Sequence, residues 1–196
     1  MNINVSAPQR LSNPELLHRP NLSLNGRISA ETLSFFLEGL QNVRASNEHL
    51  VMELNTEGGD ADIARRIAME IRLFIRHADK DAFCVGKTNV YSAGVTIFAA
   101  FPRDRRFLTE DAVLLVHERR LDQAVQLCGP IKASIQIIRE QLSMLETAHK
   151  LEMEGFRELV EGSKLSVDEL YERATSNCYL HAEEALDLGL VAEILK

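Results

Sequence analysis

Leu50-Val51-Met52-Glu53-Leu54, followed by Asn55-Thr56-Glu57-Gly58-Gly59-Asp60 and then the run from Ala61 to His77, is the stretch whose reading decides the fold. The first five residues are apolar enough for a buried strand. The final run carries Ile63, Ile67, Ile71 and Phe74 at helical spacing, which gives a helix with one apolar face. Between them, Gly58 and Gly59 allow a tight turn and let a ligand backbone approach closely. Strand, glycine turn and helix make a βα unit, and the chain repeats that alternation on both sides.

Upstream, Asn21 to Leu24 predicts a strand, and Ser29 caps a helix carrying Leu33, Phe36, Leu37 and Leu40. Downstream, Phe83-Cys84-Val85 is β-type, Gly86 to Tyr91 reads as a turn, and Ser92-Ala93-Gly94-Val95 opens a small, apolar helix. Short strands follow near Arg106–Leu108 and Val113–Val116, the second ending in His117. The longest helical stretch runs from Ile131 to Glu161, with Ile131, Ile135, Ile138, Leu142 and Leu145 in one stripe. That stripe suits either the domain's own core or another subunit, since a helix about 45 Å long would overhang a small domain. Met1 to Pro20, with three prolines, reads as an extended arm, and residues 21–196 as one domain.

Three features fit acyl transfer. That chemistry needs a hydroxyl to attack, an imidazole to take its proton, and fixed N–H groups for the oxyanion. Ser92 supplies the hydroxyl at a helix N-terminus, where the helix dipole favours developing negative charge. Serine there is also an ordinary N-cap. His117 ends an apolar strand, the edge where open α/β sheets place their chemistry. Gly58-Gly59 can present backbone N–H groups.

With these residues together, the chain resembles the proteolytic subunit of the Clp protease from about Asn21 to Lys196. The resemblance rests on Leu24-Asn25-Gly26-Arg27-Ile28, Asn55 to Gly59, Tyr91-Ser92-Ala93-Gly94, Arg106-Phe107-Leu108, Val116-His117 and Glu183 to Val191. It implies an α/β fold of the Clp protease/crotonase type, built of repeated ββα units with a long helix in the C-terminal half. It implies Ser92 as nucleophile and His117 as general base, with the Gly58 and Ala93 N–H groups as oxyanion hole and Gly59 beside the substrate. Counting back from Tyr179-Leu180-His181 puts Asn177 where the family has its acid. Asparagine can accept from imidazole but brings no charge to stabilise imidazolium.

Three further departures stand out. The segment Glu118 to Pro130 has one glycine and several charges where the family has a glycine-rich strand. The stretch from His117 to Asn177 is longer than the family's usual one, and Glu57 replaces a proline before the glycine pair.

The resemblance implies a serine endopeptidase acting on extended peptide or unfolded protein. It also implies a homo-oligomer and an ATP-dependent unfoldase as partner. The ATPase would lie elsewhere, because the chain has no G-x-x-x-x-G-K-[ST] loop. Two other classes stay open: a catalytically idle structural or regulatory subunit, and an acyl-CoA enzyme of the crotonase type.

A net charge of −7 argues against a nucleic-acid footprint. No apolar run approaches membrane-spanning length, and Met1 to Pro20 lacks the apolar core of a secretory signal. Cys84, Cys128 and Cys178 have neither disulfide-framework nor zinc spacing and suit a reducing cytoplasm. No cofactor and no metal are expected.

Overall fold

The computed structural model describes residues 14–196. Its order is β1 (Leu22–Asn25), α1 (Ala30–Ser46), β2 (Leu50–Thr56), α2 (Ala61–His77), β3 (Ala82–Tyr91), α3 (Ala93–Ala99), β4 (Arg106–Thr109), β5 (Val113–Val116), α4 (Ile131–Val160), α5 (Val167–Ala174), β6 (Cys178–His181), α6 (Ala182–Asp187) and β7 (Glu193–Leu195). One seven-stranded sheet carries them, in the order β1-β2-β3-β4-β7, with β5 also on β3 and β6 on β5. All pairings are parallel except β5–β6.

The glycine-turn unit forms as its sequence predicts. β2 alternates its faces: Leu50, Met52 and Leu54 join the main core under the helices, while Val51 faces the other side. α2 begins where the Asp60 carboxylate accepts the Asp62 and Ile63 N–H groups, and it buries Ile67, Ile71 and Phe74. Ser29 caps α1 through the Thr32 N–H.

Two elements differ from expectation, and a third drops one of its two readings. β3 does not stop at Val85. It runs to Tyr91 and changes partner on the way, pairing Cys84–Gly86 with β4 and Asn89–Tyr91 with β5. Gly86-Lys87-Thr88-Asn89 has turn composition, yet β5 satisfies its end, and Asn55 Oδ1 accepts the Asn89 N–H where the β2–β3 register shifts.

The arm is not wholly extended. Pro14–His18 form a 3-10 turn that seats Leu17 against Val51, Phe83, Val85 and Phe107 on the second face of the sheet. The rest of the arm, residues 1–13, lies outside the described residues.

Finally, the α4 stripe does not face this domain's core. Ile131, Ile135, Ile138, Leu142 and Leu145 are all exposed, and α4 buries only its last turns, through Phe156, Leu159 and Val160.

One buried charge holds this end of the molecule together. Arg106, at the start of β4, donates to the carbonyls of Ala99 and Phe101 at the end of α3 and of Glu158 and Leu159 at the end of α4. Two helix C-termini thus converge on one guanidinium, which compensates their unpaired carbonyls. Burial pulls its pKa down to about 10, so it remains charged at neutral pH.

Candidate active site

Ser92 sits between β3 and α3 with φ 54 and ψ −116. This backbone is strained for a residue with a side chain. Its N–H donates to the Leu115 carbonyl of β5 at 2.8 Å, which pins the turn to the neighbouring strand. Its hydroxyl caps nothing: α3 has no side-chain cap. The ordinary N-cap reading of Ser92 is therefore not what the fold uses. A serine on a sharp strand-to-helix turn, hydroxyl uncommitted, is the geometry of a nucleophile elbow. Ala93, next in the chain, opens α3, where a helix leaves its first N–H groups without internal acceptors.

The glycine turn lies directly against this elbow. A Cβ built on Gly58, at φ +99, would stand 2.8 Å from Ser92 Cβ and 2.9 Å from the Tyr91 carbonyl oxygen. Only glycine fits there. The Gly58 N–H donates to the buried Thr56 hydroxyl at 3.0 Å. Gly59, at φ +147, is bracketed by Ile28, whose N–H donates to the Gly58 carbonyl and whose carbonyl accepts from Asp60. The Gly59 amide takes no part in that ladder, and a side chain on Gly59 would collide with the Ile28 backbone.

His117 follows β5, whose pairing with β3 brings the two strand ends together. Ser92 and His117 line the same cavity, of about 290 Å³. Its walls include Met69 of α2, Val95 and Thr96 of α3, and Leu151 and Phe156 of α4. The Arg72–Glu158 ion pair, at 2.7 Å, lies along one side. Among the described residues, no hydrogen bond joins Ser92 to His117. The His117 Nδ1 instead meets the Glu118 carbonyl oxygen at 2.6 Å.

Asn177 is close in sequence to β6, which pairs with β5, but its side chain goes elsewhere. Its Oδ1 accepts from Arg120 Nη2 at 3.3 Å. Asn177 holds a left-handed backbone, φ 61, which asparagine tolerates better than most residues.

The segment after His117 forms no strand. It folds across the site instead. The Arg119 N–H donates to Glu152 of α4, and the Arg119 guanidinium donates to Asp62 at the start of α2. Sequence reasoning missed Glu152, Arg119 and the Arg72–Glu158 pair. For Glu152 a signal existed: it lies four residues before Phe156, on the face of α4 that turns inward at that end.

Burial pushes both the Cys84 and the Cys178 thiols up, so neither offers a thiolate as nucleophile. No group of three or more metal-ligating side chains occurs among the described residues. Among the described residues, no helix is long and apolar enough to cross a membrane.

A mostly parallel sheet covered by helices, with a strained serine and a histidine at adjacent strand ends, defines an α/β protein. The Clp protease family model matches residues 14–196, and the chain belongs to that family. At family level this is a peptidase of the hydrolase class, and such proteins generally form oligomers and act on peptides or proteins. No curated protein matches the chain.

Proposed function

We propose that the chain is a serine endopeptidase that cleaves peptide bonds through an acyl-enzyme, with Ser92 as nucleophile and His117 as general base. The observation that supports this best is the Ser92 turn: strained, free of capping duty, packed on Gly58 and open to the cavity that His117 shares. His117 Nε2 takes the proton as Ser92 Oγ attacks the scissile carbonyl, whose π electrons move onto oxygen. The Ala93 N–H and the Gly58-Gly59 turn are the donors for that oxyanion. Gly58 shares its N–H with Thr56, so Gly59 offers the freer amide. Collapse expels the amine, which takes the proton from His117. Water, activated by the same imidazole, then hydrolyses the ester.

A cavity of about 290 Å³ takes a side chain and not a folded domain, so the substrate is extended peptide. We assign the exposed α4 stripe to contact with further copies of the chain, an ATP-dependent unfoldase to substrate delivery, and the cytoplasm as its compartment. Fluorophosphonate labelling tests the central claim. Wild-type protein is expected to be labelled at Ser92 and Ser92→Ala not at all. Equal labelling of the two would sink the assignment. A crotonase-type acyl-CoA enzyme would give no serine adduct.

The idle-subunit reading draws support from one finding. His117 Nδ1 meets a backbone carbonyl and Asn177 meets Arg120, so the expected third member is not on the histidine. Absence of labelling in folded wild-type protein would favour it.

A further inference from the structure

We infer that Glu152 is a positioning residue for His117, acting through the Glu118–Arg119 peptide unit. The inference rests on the serine-peptidase reading for its consequence but not for its geometry. The carbonyl of that peptide accepts from His117 Nδ1 at 2.6 Å, and the N–H of the same peptide donates to Glu152 Oε1. In a trans peptide the C=O and N–H point in opposite directions. One planar unit therefore links the imidazole on one side to a carboxylate on the other.

The physical effect follows from polarisation along a hydrogen-bond chain. A carboxylate on the amide N–H draws that proton and increases the negative partial charge on the carbonyl oxygen. The oxygen then holds Nδ1–H more strongly. This fixes the neutral tautomer with the proton on Nδ1 and leaves Nε2 as the acceptor for the Ser92 proton. When Nε2 is protonated, the same oxygen faces the new imidazolium. No proton moves along the peptide: Nδ1 keeps its hydrogen and Glu152 stays a carboxylate throughout.

The surroundings suit the role. The Glu152 side chain is only 8% exposed, so water screens its charge little. Its other oxygen has His149 Nδ1 at 3.5 Å, one helical turn away. The Arg119 guanidinium does not compete for it, because that side chain goes to Asp62. Asn177 is committed to Arg120, so the peptide carbonyl is the group at His117 Nδ1.

The test compares Glu152→Gln with Asn177→Ala by two readouts. One is the fluorophosphonate labelling rate of Ser92, with kcat and KM on a small peptide ester. The other is the 15N NMR signature of the His117 ring, which reports the tautomer and the Nδ1–H resonance whether or not peptide is cleaved. Replacing the acid of a direct triad by its amide costs about four orders of magnitude. Acting through an intervening peptide, Glu152→Gln is expected to slow labelling and kcat about tenfold, with KM nearly unchanged. The wild-type ring should carry its proton on Nδ1, and Glu152→Gln should shift that resonance upfield.

A wild-type ring protonated on Nε2 would overturn the inference, and this measurement needs no variant to fold. So would a Glu152→Gln protein with wild-type rate and an unmoved Nδ1–H signal. So would loss of that signal and rate in Asn177→Ala, which would mean that Asn177 rotates onto His117. Failure of Ser92 to label in wild type would sink the peptidase reading alone, since the ring signature still decides this one.

Discussion

Replacing Arg106 by methionine should unfold this protein far more readily than its position away from the catalytic groups suggests. Arg106 is 3% exposed and donates to four carbonyls, at 2.8 Å to Phe101, 2.9 Å to Leu159, 2.9 Å to Ala99 and 3.1 Å to Glu158. Hydrogen bonds to a charged group are worth about 1.5–3 kcal/mol each, so the gross gain is several kcal/mol. Against it stands burial, which pulls the guanidinium's pKa down from its ordinary value to about 10. At 1.36 kcal/mol per pKa unit, that is roughly 3 kcal/mol of desolvation. Methionine removes both terms and leaves four carbonyl oxygens without their donor.

The expected net loss is about 4 kcal/mol, the range found when one partner of a buried charged network is removed. With a urea m-value near ~2 kcal/mol per M, the midpoint should fall by ~2 M at fixed protein concentration. Arg106→Lys keeps the charge but has three donors at one point, so it cannot reach both helix ends and the turn; it should recover about half. A midpoint shift under ~0.5 M for Arg106→Met would refute the reasoning, because the guanidinium's bonds would then only balance its desolvation.

Gly58→Ala places a methyl 2.8 Å from Ser92 Cβ at φ +99, so it should slow Ser92 labelling by at least about 10² while the sheet's circular dichroism persists. Ile138→Glu with Leu142→Glu, both on the exposed α4 stripe, should convert an assembly to particles of 22.0 kDa by light scattering; no change in mass would exclude that face as the contact.

The Glu70 carboxyl is held below its ordinary value of 4.5, chiefly by its hydrogen bond from Arg66 and further by Arg44. A lowered carboxyl pKa adds stability above the unfolded value and loses it as pH falls through the folded one. Glu70→Gln should therefore be less stable than wild type by about 0.5–1 kcal/mol at pH 7, and the gap should close below pH 4.5 in acid melts. Asn177→Asp should leave Ser92 labelling within about twofold, because Arg120, already at 3.3 Å, captures the new carboxylate. A large gain in rate would mean that the aspartate reaches His117.

The sequence by itself determined what depends on neighbours in the chain. Asp60 and Ser29 cap their helices, the apolar spacing of Ile63, Ile67 and Ile71 selects the helix face, and glycine alone fits the turn before α2. Those are local constraints, so β2, α2 and the start of α1 were legible within a residue or two. Ser92 and His117 were legible as residue types at strand ends. The strained backbone that frees the Ser92 hydroxyl was not, because it is imposed by β5 gripping the Ser92 N–H.

The tertiary structure decided the rest. Gly86 to Asn89 reads as a turn but is strand, since β4 pairs Gly86 and β5 pairs Asn89 from more than twenty residues away. The α4 stripe is apolar like a core face, yet only packing shows that it points away from the core. Counting along the chain puts Asn177 where the resembled family has its acid, but Arg120, from a segment without regular structure, holds it instead. Glu152 joins the site only because residues 118–120 fold back over α4. Such contacts join residues tens of positions apart in sequence, and no local pattern records them.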